Sequence, residues 1–146
     1  MKSKNYAKFE FPAKSSNEAF ARACVAAFAA QLDPTIDELG DIKTSVSEAV
    51  TNAVVHAYPN TLGTIYLKLR IIGEDVIEIT VKDKGKGIED VKKAMEPLYT
   101  TGGDDRSGMG FTIMDSFMDK IKVSSRLGKG TSIVMSRRIK AKNELE

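Results

Sequence analysis

Glu48 and Asn52 lie four residues apart in the segment Glu48-Ala49-Val50-Thr51-Asn52, a spacing that puts a carboxylate and an amide on one face of a helix. A carboxylate there can take a proton from a hydroxyl or a water, and an amide oxygen suits a hard cation such as Mg²⁺. Taken alone, the pair equally fits the solvated face of an amphipathic helix. A second constellation is Asp83-Lys84-Gly85-Lys86-Gly87. Its carboxylate can accept a hydrogen bond from an exocyclic amine, while Gly85 and Gly87 let the backbone approach a flat ring. A strand-ending turn with a solvated Asp has the same composition. The third is Arg106-Ser107-Gly108-Met109-Gly110. Gly-rich N–H groups opening a helix form an anion site, and Arg106 adds a bidentate phosphate donor. Its plain counterpart is a flexible loop before a helix.

The patterning of the chain says what must hold these groups. Tyr6 to Phe11 reads as a short edge strand with Phe9 and Phe11 on one face. Ser15 to Glu18 has the spacing of a capping box and opens an Ala-rich helix reaching Leu32. That helix is expected to pack through Phe20, Cys24, Ala27, Phe28 and Gln31, with Cys24 in the core and Arg22 pointing away. Asp33-Pro34 breaks it. Thr35 to Glu38 is a second capping box, opening a longer helix through Val54 that carries Glu48 and Asn52 and ends at Tyr58-Pro59-Asn60. His56, one turn beyond Asn52, is read as structural or peripheral.

Strands are predicted at Thr64 to Ile72 and Val76 to Asp83, joined by Gly73-Glu74-Asp75. Ile65, Leu67, Leu69 and Ile71, then Ile77, Ile79 and Val81, alternate with polar residues, so one sheet face is apolar. A short helix follows near Asp90 to Met95, then a stretch poor in apolar residues from Thr100 to Ser107. Another helix runs from about Met109 to Met118, packed by Met109, Met114 and Met118. A last hairpin pairs Lys120 to Ser125 with Thr131 to Ile139, and the polar tail after Lys140 is expected to fray. The sum is an α+β fold, a two-layer sandwich of helices on one face of a mainly antiparallel sheet.

Composition removes several functions. The chain has 146 residues, one domain's worth, with 22 Lys plus Arg against 20 Asp plus Glu and a net charge of +2. That balance argues against a nucleic-acid binder working through bulk positive field. A single cysteine excludes an internal disulfide, and one His beside it leaves no zinc constellation. No signal peptide is visible, and the run Ala19 to Ala30 contains Arg22 and is shorter than the ~20 residues a membrane span needs, so a cytoplasmic protein is expected. No G-x-x-x-x-G-K-[ST] loop occurs, Gly85 and Gly87 lack the third glycine of a dinucleotide fingerprint, and neither His-Arg-Asp nor Asp-Phe-Gly is present.

In this order, with the apolar-poor segment between the last two, the three motifs resemble the GHKL superfamily of gyrases, heat-shock chaperones, histidine kinases and mismatch-repair ATPases. The resemblance covers Asp41 to about Met135. It implies a Bergerat ATP-binding sandwich that takes ATP or ADP with Mg²⁺. Asn52 would help hold Mg²⁺, Asp83 would meet the adenine amine, and Gly85 and Gly87 would line the adenine pocket. Gly108 and Gly110 would flank the phosphates, with Thr100, Thr101, Ser107 and Met109 in the same nucleotide-binding set. Thr131, after Gly128-Lys129-Gly130, would support the adenine through its hydroxyl.

Asn17 to Arg22, Gln31 to Thr35, Ser47 to Ala53 and Arg106 to Met114 further resemble the serine-kinase anti-sigma family of bacterial sporulation, a likeness covering about Ser16 to Ile133. It implies a homodimer that sequesters a sigma factor and uses ATP to phosphorylate a serine of an anti-anti-sigma protein. Arg22 stands where the family contacts a partner. In that reaction Glu48 would orient and deprotonate the attacking hydroxyl, and Arg106 would stabilise charge at the γ-phosphate. One departure bears on transfer more than on binding: Thr100-Thr101-Gly102-Gly103-Asp104-Asp105 has no Lys where the family carries one. Two alternatives follow, a general-stress anti-sigma switch kinase and a sigma-binding module using nucleotide only as a structural ligand.

Overall fold

Two strands with strict apolar–polar alternation form the centre of the molecule, β2 (Thr64–Ile72) and β3 (Val76–Asp83). The computed structural model describes residues 3–58, 61–95 and 110–140. Within them β1 (Ser3–Pro12), β4 (Lys120–Arg126) and β5 (Gly130–Arg138) complete a five-stranded sheet of order β1-β2-β3-β5-β4, every neighbouring pair antiparallel. β1 is an edge strand as expected, but longer than Tyr6 to Phe11 because its pairing with β2 continues to Ser3. Ile65, Leu67, Leu69, Ile71, Ile77, Ile79, Val81, Ile133 and Met135 point to the buried face, and helices cover them. The expected polar tail, residues 141–146, lies outside the described residues.

The helical layer consists of α1 (Ser16–Ala29), α2 (Ile36–Asn52), a short α3 (Val91–Ala94) and α4 (Gly110–Phe117). α2 starts where the capping box predicts. The Glu38 N–H donates to Thr35 Oγ1 at 3.1 Å, and the Thr35 N–H donates to Glu38 Oε1 at 2.9 Å. Glu38 is buried, and its Oε2 accepts from the Lys140 N–H at 2.8 Å. Burial pushes its carboxyl up, but the Thr35 and Lys140 N–H bonds, the Thr35 hydroxyl and the Arg137 charge outweigh this and hold it below its ordinary value. Arg137 also joins the layers, reaching Asp41 at 2.9 Å and the Phe117 carbonyl at 2.6 Å. Val25, Ile42, Val46, Val50 and Met114 fill the space between helices and sheet, and Met118 is buried beside them.

α1 departs from the sequence expectation in two ways. Its buried stripe is Ala21, Val25, Phe28 and Ala29, one residue on from the expected Phe20, Cys24, Ala27 and Gln31, a rotation of about 100°. Small Ala21 and Ala29 let α1 lie close on α2, while Phe20, half exposed, packs edge-on against Phe9 and Phe11 of β1 at 6.4 and 6.0 Å. Cys24 is therefore only half-buried, and burial pushes its thiol up. The Ser15 capping box does not form. Ser15 has helical backbone angles, φ −59° and ψ −31°, whereas a capping side chain needs extended ones. The turn is closed instead by the Glu18 N–H on the Ser15 carbonyl at 3.1 Å and by Asn17 Nδ2 on the Pro12 carbonyl at 2.9 Å.

α2 also ends differently. Beyond Asn52 the backbone widens into a π-helical turn, Ala53–Ala57, where sequence periodicity runs straight through Val54. π turns are rare and concentrate at functional sites.

Candidate functional site

Asp83 closes β3 with its carboxylate buried among the layers. Asp83 Oδ1 accepts from the Gly85 N–H at 2.9 Å and from the Thr131 N–H at 3.2 Å. Burial pushes this carboxyl up, and those two bonds oppose the shift. Thr131 is buried opposite Asp83 in the β3–β5 ladder, so the two side chains share the inner face. A carboxylate and a hydroxyl set side by side under a protein layer can bind the polar edge of a flat base.

The glycines beside Asp83 are required by backbone packing. A side chain on Gly85 would collide with the Ala57 carbonyl, and one on Gly87, at φ +79°, with the Arg126 carbonyl. The Lys86 N–H donates to the Ala57 carbonyl at 3.0 Å, so the loop after β3 is pinned to the π turn ending α2. His56 lies in that turn, half-buried.

The first motif sits on the other side of that pin. Glu48 and Asn52 lie one turn apart on α2, and Gly110, the first residue of α4, rests against both. A methyl group on Gly110 would lie 3.2 Å from Glu48 Oε1 and 3.5 Å from Asn52 Oδ1. Gly is thus what lets α4 approach these polar groups. Asn52 Nδ2 is buried without a hydrogen-bond partner among the described residues. A buried, unsatisfied amide is costly unless a ligand completes it. Among the described residues no group of three or more His, Cys, Asp or Glu could hold a metal alone. The amide oxygen of Asn52 suits a cation held jointly with substrate phosphates, as Mg²⁺ usually is.

Thr100, Thr101, Arg106, Ser107, Gly108 and Met109 lie outside the described residues. Arg22 is on α1, half-exposed, with Glu18 at 3.7 Å.

Sequence reasoning passed over two supporting residues. Ser125 of β4 faces Thr131 in the β4–β5 register and bonds its hydroxyl at 2.8 Å. Counting strand positions back from the Gly128–Gly130 turn would have exposed this cross-strand Ser–Thr pair. Tyr58 hydroxyl donates to the Thr64 carbonyl at 2.8 Å and accepts from the Lys84 N–H at 2.7 Å, bracing the residue next to Asp83. Only its place at the helix end hints at it.

Residues 11–137 match the family described as the histidine kinase-like ATPase domain. The anti-sigma F factor of Caldanaerobacter subterraneus is 55% identical over 140 residues, covering 95% of this chain and 97% of its own. That of Clostridium botulinum is 57% identical over 137 residues, covering 92% of this chain and 94% of its own. Among solved structures, the RsbU and RsbW domains of a Mycobacterium tuberculosis protein superpose with TM-score 0.68 at 18% identity. That match covers 92% of this chain and 32% of the other, and it is a likeness of fold. No helix among the described residues is long and apolar enough to cross a membrane.

Proposed function

Since the chain belongs to the histidine kinase-like ATPase family and, within it, to the anti-sigma F factors, we propose that it binds and inhibits a sporulation sigma factor and phosphorylates a serine of an anti-anti-sigma protein with ATP. The observation that carries this reading is the closeness of Gly110 to Glu48 and Asn52, near enough that an added methyl group would meet both side chains. It supports a site that brings the end of the third motif, Gly110, beside the carboxylate–amide pair.

In this reading Asp83 and Thr131 take the adenine, with Gly85 and Gly87 shaping the wall beside it. Gly110, with Thr100, Thr101, Ser107, Gly108 and Met109, surrounds the phosphates. Asn52 would hold Mg²⁺ through its amide oxygen, and Mg²⁺ bound there would supply charge neutralisation for the phosphates. The partner's serine oxygen attacks the γ-phosphorus, its proton passes to the Glu48 carboxylate, and the bond to the β–γ bridging oxygen breaks to release ADP. Arg106 stabilises the charge that develops on the transferring group. Arg22 on α1 contacts the partner, and the protein works in the cytoplasm as a homodimer built from one ATP-binding domain, residues 1–146.

The test is paired: transcription driven by the sigma factor, and transfer of labelled phosphate from ATP to the anti-anti-sigma serine. Inhibition with transfer supports both activities. Inhibition without transfer favours a clamp that uses nucleotide structurally, a reading suggested by the absence of Lys from residues 100–105.

A further inference from the structure

Ser125 is held by three contacts. Its Oγ accepts from the Ile88 N–H at 2.7 Å, lies 3.0 Å from the Gly130 carbonyl, and lies 2.8 Å from Thr131 Oγ1. A hydroxyl has one proton and two lone pairs. The Ile88 N–H can only donate, and the Gly130 carbonyl can only accept. The one proton of Ser125 therefore goes to Gly130, and its remaining lone pair takes the proton of Thr131.

Thr131 is thereby left with lone pairs alone for whatever lies beside Asp83. Asp83 Oδ1 is similarly committed to the Gly85 and Thr131 N–H groups, which leaves Oδ2 as its open oxygen. The floor formed by Asp83 and Thr131 thus presents acceptors only. Such a floor pairs with a base edge carrying N–H donors and meets a carbonyl at the same place lone pair to lone pair.

We propose that Ser125 is a positioning residue for base selection: by fixing the proton of Thr131 it makes the pocket prefer a purine with an exocyclic amine over one with a carbonyl there. This rests on Asp83 and Thr131 being the floor of the nucleotide-base pocket. Without the Ser125 hydroxyl, Thr131 loses its acceptor, and its proton is free to turn toward the ligand. A carbonyl is then tolerated.

The experiment is calorimetric titration of the full chain with ADP and with IDP, in which a carbonyl replaces the amine, for the parent, Ser125→Ala and Ser125→Thr. The parent should prefer ADP. Ser125→Ala should shrink the ADP-to-IDP preference by about three- to tenfold, the worth of one hydrogen bond. Ser125→Thr, which keeps the hydroxyl, should restore it. A merely structural Ser125 predicts equal weakening of both nucleotides, and an unchanged ratio in Ser125→Ala overturns the proposal. Should that variant lose cooperative melting, Ser125→Cys, a weaker hydrogen-bonding group of similar shape, must shift the ratio in the same direction. A parent that binds ADP with a ratio unmoved by these variants overturns only the role of Ser125. A parent that binds neither nucleotide overturns the base-pocket reading with it.

Discussion

At the Asp83 end of the site the Ser125 and Thr131 hydroxyls bond each other, and Asp83 and Ser125 are further bonded to backbone of β5 and of the loop after β3. At the Glu48 end, Asn52 carries a buried amide nitrogen with no partner among the described residues, and a glycine is what fills the space beside it. The first arrangement is preorganised and costs little rearrangement on binding. The second leaves a buried polar group for a ligand to complete. A shared base with differing phosphates should therefore be held alike at one end and told apart at the other.

The largest effect that would sharpen this contrast is kinetic. Glu48→Gln should lower phosphate transfer by about 10²–10⁴-fold while ADP affinity stays near the parent's, measured by labelled-phosphate assay and calorimetry. Transfer at the parental rate would remove Glu48 from the reaction.

Asp83→Asn should weaken ADP binding by about 100-fold, because an amide donor then faces the base edge where a carboxylate oxygen accepted. Acid should reproduce part of this loss. Burial raises the Asp83 pKa, so its proton is taken up at a higher pH than by an ordinary aspartate. ADP affinity should fall as pH drops through that raised value, a titration absent in Asp83→Asn. The sign for stability is opposite: the folded state disfavours the charged form, so stability declines as pH rises from the unfolded-state value through the raised one.

Asn52→Ala should weaken Mg-ATP by about tenfold and metal-free nucleotide much less. Equal losses with and without Mg²⁺ would erase the difference between the two ends.

The smallest effect lies outside both. Thr35→Ala removes the cap of α2 and should cost about 1 kcal/mol, or roughly 3 °C in Tm, with no change in the ratio of ATP to ADP affinity. The capped Glu38, its pKa lowered by its partners, contributes stability above its unfolded-state pKa that is lost as pH falls through the folded-state value. A change in nucleotide ratio would mean that the start of α2 is coupled to its far end.

The parts of this molecule legible from sequence are those governed by local chemistry and simple period. β2 and β3 alternate strictly, and the Thr35–Glu38 box is closed by two bonds within one turn. α1 is different. Its Ala-rich composition gives a weak stripe, and the face that packs is the one carrying Ala21, Val25, Phe28 and Ala29, which tertiary packing and not local period selects. The Ser15–Glu18 spacing looks identical to that at Thr35, yet the chain leaving β1 enters the helix already in helical geometry. Asp83, Asn52 and Glu48 stood out by type and spacing. Ser125 and Tyr58 did not: Ser125 meets Thr131 only through the exact register of the β4–β5 hairpin, and Tyr58 acts on Lys84, 26 positions away.

The π turn at Ala53–Ala57 sets a phase as well as a path. Each residue of a helix turns its successors about the axis, and a wide i→i+5 turn has its own count of residues, so deleting one of these five would change the angle at which the chain leaves Asn52. The hydroxyl of Tyr58 and the carbonyl of Ala57 would swing off Lys84 and Lys86 even though no side chain named in the site had been touched. Residues within that turn can therefore be exchanged at less cost to the site than its length can be changed.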